Sequence, residues 1–283
     1  MFYSAPKLTI LARPVFTEPD HLPVNWLGES SDGEKLAEFA GRLCYMSQRN
    51  PANRETRDYL ENIKRQGHGS VLEHANYSVL AEGVSRSLTH ELVRHRAGWG
   101  YSQLSQRYVD ESEAHFVIPP AILEDEALEK AWKDQMATAQ TAYVQLVEQL
   151  MERYSWVADK IHRRKMAREA ARGVLPNSTE TKIVMTGNAR AWRTMLELRS
   201  SEGAELEIRR FAVAALRSKP PAGRALWTME LLAGEMVRLT KHKALSSETV
   251  RRRLVEKELK PWQKKMWCIP KVDTEFVARM EDV

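Results

Sequence analysis

The sequence predicts an α+β fold, with helices packed around a modest antiparallel or mixed sheet. Three observations carry that prediction. Two segments with strand character, "NYSVLAEGVS" (76–85) and "TKIVMT" (181–186), stand far apart in the chain. Around them lie charged stretches with apolar side chains at helical spacing. Strand and helix do not alternate strictly, which argues against a doubly wound parallel sheet.

Taken in order, residues 33–64 read as two helices interrupted at Asn50-Pro51. The weak alternation of 76–85 suits a half-buried strand. "SRSLTHELVRH" then turns helical, with Leu88 and Leu92 one turn apart, until Gly98 and Gly100 break it. Residues 124–171 carry long charged helices closed by "GVLP". After the strand at 181–186, Asn188 is placed to cap a helix running through Leu198, and another helix follows over 204–216.

A Pro- and Gly-rich seam, "RSKPPAGRALW" (217–227), predicts two domains, 1–216 and 217–283. Charge supports the division. From Arg217 onward there are 15 Lys+Arg against 9 Asp+Glu, leaving 28 basic and 29 acidic residues before it. The net charge of +5 therefore belongs to the tail.

With 283 residues, 43% apolar, the chain can bury a sizeable core. No apolar run reaches the roughly 20 residues that span a bilayer. The first residues do not resemble a signal peptide, and Cys44 and Cys268 make no metal or redox motif. The expectation is a cytoplasmic protein without disulfides and without a membrane partner.

Four clusters could carry chemistry. "GHGSVLEH" (67–74) holds His68, Ser70, Glu73 and His74, but its spacing matches neither HExxH nor the inverted form, so no metal site is expected. "VRHRAGWGYSQLSQRY" (93–108) concentrates three arginines, a histidine and two Ser-Gln pairs, a set suited to phosphate-bearing ligands. It lacks a Walker A sequence, a Rossmann glycine fingerprint and a nucleophile elbow. Arg172 ends a helix. In "NARAWRTMLELRSSEGAELEI" (188–208), Asn188 and Arg199 share one helix face three turns apart.

In this order, "GHGSVLEH", "THELVRHR", "SQLSQRY", "LP" and "NARAWRTMLELRSSEGAELEIRR" resemble the flavin-dependent thymidylate synthases, the ThyX family. The resemblance runs from about residue 33 to about 213. It implies a ThyX-like fold and a homotetramer with active sites between subunits. It also implies reductive methylation of dUMP at C5 by methylenetetrahydrofolate, with NADPH reducing a bound FAD. A related uridine nucleotide such as UMP is the alternative substrate.

The resemblance also implies site residues. Arg199 matches the arginine that stabilises ionised uracil, a role suited to a fixed guanidinium. Glu91, Leu92, Val93 and Arg94, the run Gln103, Leu104, Ser105, Gln106 and Arg107, and Arg172 match dUMP contacts, with Arg107 on the phosphate. Arg94, His95 and Arg96 match the flavin-binding triplet. Ser70, Gln103, Asn188, Ala189, Arg190 and Thr194 accompany that triplet, and His68 and Glu73 line the flavin pocket.

Four departures stand out. The segment "AGWGYSQL" between Arg96 and Ser105 is one residue longer than the family's usual spacing. Its glycines could absorb that residue as a bulge, sending Trp99 toward a ring or toward the core. Glu91 stands where glutamine is usual, near the substrate phosphate, which a carboxylate would repel. Thr194 replaces an amide or histidine, and Cys44 a serine.

The tail, roughly 217–283, is similar to the DNA-binding front part of mariner-related insertion-sequence transposases. That resemblance implies a helix-turn-helix-like appendage in which "TVRRRL" (249–254) opens a recognition helix, with Arg251, Arg252 and Arg253 toward DNA. Weak, salt-sensitive DNA binding is the corresponding expectation. The acidic catalytic domain of such transposases does not follow, so no transposition is expected. In a non-enzymatic alternative the body is inactive and the tail binds DNA.

Overall fold

In the computed structural model the described residues are 2–3 and 5–217, and the predicted appendage at 217–283 lies almost wholly outside them. The architecture is α+β, as the sequence predicts. A four-stranded antiparallel sheet has the order β2 (Lys7–Ala12), β3 (Asn76–Ser85), β6 (Glu180–Asn188), β4 (Trp99–Gln103). A separate parallel pair joins β1 (Phe2–Tyr3) to β5 (Phe116–Val117).

The two strands legible in the sequence form the centre of the sheet. Tyr77, Val79 and Ala81 of β3 are buried on one face, and Ile183 and Met185 of β6 share that core. Against them pack α1 (Asp32–Cys44), α2 (Thr56–Arg65), α6 (Ala189–Arg199) and α7 (Leu206–Arg217). Leu60, Leu92, Met195, Ile208 and Phe211 are almost fully buried there. The long α4 (Glu126–Arg153) and α5 (Lys160–Ala171) pack on each other, with Met136 of α4 against Phe116.

Several helix starts have a local cause. Ser31 and Glu34 form a reciprocal capping box at α1. Asp125 and Asp159 accept from the first amides of α4 and α5. Ser85 accepts from Leu88 to open α3 (Arg86–Leu92). Both hydrogen-bonding groups of that serine, its amide and its hydroxyl, in turn donate to Glu207 of α7 at 2.8 and 2.6 Å.

The other strands are not legible in the sequence. β2 and β4 lie at the two edges of the sheet, and β4 is built from "WGYSQ", whose glycine and polar residues give no strand signal. β5, like β1, is only two residues long.

Candidate active site

The site grows from the place where β6 passes into α6. Asn188 ends the strand, caps the helix by accepting from the Ala191 amide at 2.9 Å, and donates its own backbone amide to the Gly98 carbonyl at 3.2 Å. That bond ties the α6 N-terminus to the start of β4. Gly98 has φ +76, and a Cβ there would lie 2.6 Å from Asn188 Nδ2.

The long segment 97–104 forms no bulge, because β4 pairs with β6 in unbroken register from Trp99 to Gln103. Its positive-φ turn at Gly98 leads directly into β4, and Trp99 turns toward the core rather than outward. Its ring stacks on Tyr101 at 5.7 Å and meets Trp192 edge-on at 4.6 Å. It also covers Gly187, where a Cβ would meet the indole at 2.7 Å. The Tyr101 hydroxyl sits 3.1 and 3.0 Å from the Leu92 and His95 carbonyls and can donate to either. The turn 93–98 is thus fastened from beneath.

On this turn His95 meets Arg199. The arginine Nε donates to His95 Nε2 at 3.0 Å, so the ring is neutral at that nitrogen and carries its proton on Nδ1. Burial, and secondarily the Arg199 charge, hold the His95 pKa below the ordinary histidine value. Arg199 Nη1 donates to Glu91 Oε2 at 2.9 Å, and Nη2 to the Glu91 carbonyl at 3.4 Å. Three directed bonds therefore fix the guanidinium. The carboxylate expected to repel a phosphate is matched by the charge of Arg199.

The remaining substrate-side positions are spread along β4 and the loop after it. Gln103 donates to Thr89 and Thr181 from a half-buried place. Leu104 is tied by its amide to Lys182 O, and Ser105 accepts from the Arg107 amide. Arg107 pairs with Glu169 at 3.0 Å, both side chains being partly solvent-accessible. Gln106 is buried. Arg172 follows α5 at its C-cap. Leu92 is in the core, which leaves only its backbone for any ligand, while Val93 is exposed.

Of the positions expected for the cofactor, His68, Ser70 and Arg190 meet in one cleft, whereas Arg94, His95 and Arg96 lie on the turn that meets Arg199. A cleft of about 370 Å³ is lined by Cys44, Tyr45, His68, Gly69, Ser70 and Arg190, among others. Arg190 also pairs with Glu73 at 2.6 Å, with about half of each side chain exposed. Arg94 and Arg96 are exposed and have no ion pair among the described residues. Ala189 is buried, its amide bonded to Ala75 O, and the Thr194 hydroxyl donates to Arg190 O. Among the described residues no group of three or more His, Cys, Asp or Glu could hold a metal.

Arg86 and Glu111 escape sequence reasoning. Arg86 opens α3 with Nη1 buried and unpartnered, and Glu111 is 6% exposed. A signal exists all the same: an arginine in the first helical turn opposes the macrodipole and needs another reason to be there.

Comparison with known proteins fits this arrangement. The family described as "Thymidylate synthase complementing protein", Thy1, matches residues 27–220. The chain belongs to the Thy1 family. Similar proteins are the flavin-dependent thymidylate synthases of Mycobacteroides abscessus and Mycobacterium tuberculosis strain H37Rv, each 45% identical over 213 residues, and that of Mycobacterium marinum, 44% identical. Each match covers 75% of this chain and 84% of the relative. The Thy1 match spans every site position above and ends at the start of the basic tail.

Proposed function

We propose that the protein is a flavin-dependent thymidylate synthase, converting dUMP to dTMP by reductive methylation at C5. The observation that carries the reading is the fixed guanidinium of Arg199, held by His95 and Glu91 in a chain 45% identical to proteins of that name. For C5 of uracil to act as a nucleophile, negative charge must develop on the ring. A cation already oriented by three bonds stabilises that charge without reorganising.

On this frame Arg199 takes the uracil. Arg107 and Arg172 take the phosphate, and the exposed Glu169 pairing of Arg107 is weak enough to exchange for a phosphate oxygen. The donor set of the cleft fits a flavin: Arg190, His68 and Ser70 for its polar groups, with Tyr45, 72% exposed, as an aromatic surface. Arg94 and Arg96 supply further cations for the FAD pyrophosphate. When bound, the flavin supplies the hydride, NADPH reduces it and methylenetetrahydrofolate brings the carbon. Neither cysteine is needed as a nucleophile.

Arg94 and Arg96, exposed and without an ion pair among the described residues, also suit a homotetramer in which neighbouring subunits complete each site. The basic segment 217–283 is a separate transposase-like module with weak DNA affinity, and the enzyme works in the cytoplasm. The test is tritium release from C5-labelled dUMP with NADPH, FAD and methylenetetrahydrofolate, with UMP run in parallel. Release from dUMP alone is expected. No release, from a protein that stays colourless with FAD, overturns the reading.

A further inference from the structure

Glu207 spends its carboxylate on the start of another helix. Its own helix does not need it there: the Glu205 carboxylate already accepts from the Glu207 and Ile208 amides at 2.7 and 3.1 Å. α3 does not need it as a cap either, because the Ser85 hydroxyl accepts from the Leu88 amide at 2.9 Å. Yet Glu207 Oε1 accepts from the Ser85 amide at 2.8 Å, and Oε2 from the Ser85 hydroxyl at 2.6 Å. Ser85 is buried, which shields both bonds from water, and an ionised acceptor strengthens them.

What the two bonds fix is the orientation of α3. Its seven residues make about two turns, too short a helix to hold itself. Leu88 and Leu92 on its apolar side belong to the same core as Ile208 and Phe211 of α7. Its C-terminal end carries Glu91, which meets Arg199 through Oε2 at 2.9 Å and through its carbonyl at 3.4 Å. The turn that follows brings His95 to the same guanidinium at 3.0 Å. Glu91 lies about 9 Å along the axis from Ser85, so a tilt at the first residue is passed on to the last. Arg199 closes α6, and Glu207 stands in the first turn of α7. α3 thus spans the connection between those two helices, pinned by Glu207 at one end and holding Arg199 at the other.

Resting on the reading of Arg199 as the cation beside the uracil, we propose that Glu207 is a positioning residue for Arg199. It acts through α3, keeping Glu91 and His95 where they grip the guanidinium, and touches no substrate atom itself.

The experiment is tritium release from C5-labelled dUMP by the flavin-loaded full chain at pH 8, comparing wild type, Glu207→Gln, Arg199→Ala and the double variant. Glu207→Gln is expected to lower kcat by about tenfold or more, as misplacement of an oriented group does. KM for dUMP is expected to stay within about twofold of wild type. In the Arg199→Ala background the same change is expected to cost less than about twofold, because the group it positions is gone. Independently of turnover, amide hydrogen exchange in peptides covering 86–96 is expected to be faster in Glu207→Gln. Wild-type kcat in Glu207→Gln overturns the proposal, and so does unchanged exchange. An equal fall in kcat with and without Arg199 also overturns it, since that marks a merely structural role. If Glu207→Gln does not fold, Ser85→Ala, which removes the hydroxyl that donates to Glu207, is compared in the same two backgrounds. An equal loss there, or none, overturns the proposal. A wild type that releases no tritium strikes the functional reading instead. The exchange comparison, which needs no turnover, separates that outcome from a failure of Glu207 to hold α3.

Discussion

The two edges of the candidate site treat positive charge in opposite ways. On the side read as the nucleotide's, Arg199 is largely buried and spends three bonds on Glu91 and His95. On the flavin side, Arg94 and Arg96 stand in solvent, and Arg190 shares only an exposed pair with Glu73. The difference teaches what each group is prepared to do. A cation that must stabilise charge developing during a reaction has to be oriented beforehand. One that grips a multiply charged ligand, or a neighbouring subunit, can remain loose until the ligand arrives.

The strongest way to break this contrast is Arg199→Ala. It is expected to lower kcat by about 10²–10³-fold, as loss of a preorganised charge stabiliser does, while the flavin spectrum stays as in wild type. A variant that loses flavin instead would show that the two edges are not separate.

Next comes the seam joining them. Gly187→Ala places a Cβ 2.7 Å from the Trp99 ring. It should cost about 1–3 kcal/mol by overpacking, read from urea unfolding. An unchanged midpoint would mean that Trp99 moves aside freely.

Protonation of His95 sharpens the comparison further. Because burial and Arg199 depress its pKa, the unfolded chain binds more protons in the window below about pH 6.5. The stability contributed by the neutral ring is complete above that window and falls as pH drops through it. Unfolding midpoints at pH 7.5 and 5.5 should therefore diverge more for wild type than for His95→Gln; parallel profiles would refute the assignment.

The smallest effect is expected at the open edge. Glu73→Gln removes an exposed pair and should change stability by less than about 1 kcal/mol, yet it should alter FAD affinity, measured by fluorescence titration.

Central elements are legible in the sequence because their causes are local. The alternation in β3, the cap at Asn188 and the helical spacing around Leu88 and Leu92 each declare themselves within a few residues. The edge strand β4 is illegible because "WGYSQ" becomes a strand only by pairing with β6, which lies about 80 residues away in sequence. The long 97–104 segment stands out as unusual from spacing alone. Its resolution into a Gly98 turn and an inward Trp99 depends on the bare backbone of Gly187, a tertiary partner. The same holds for Glu91. Its carboxylate is unfavourable beside a phosphate when taken alone, and only the pairing with Arg199, 108 residues on, accounts for it.

The Trp99–Trp192 contact has one more consequence, an optical one. Two indoles 4.6 Å apart, one on β4 and one on α6, sit under the turn that carries Arg94, His95 and Arg96. Their emission overlaps the absorption of an oxidised flavin, so a flavin bound within energy-transfer range would quench it. The fold would then carry its own gauge of occupancy, one that needs no added label.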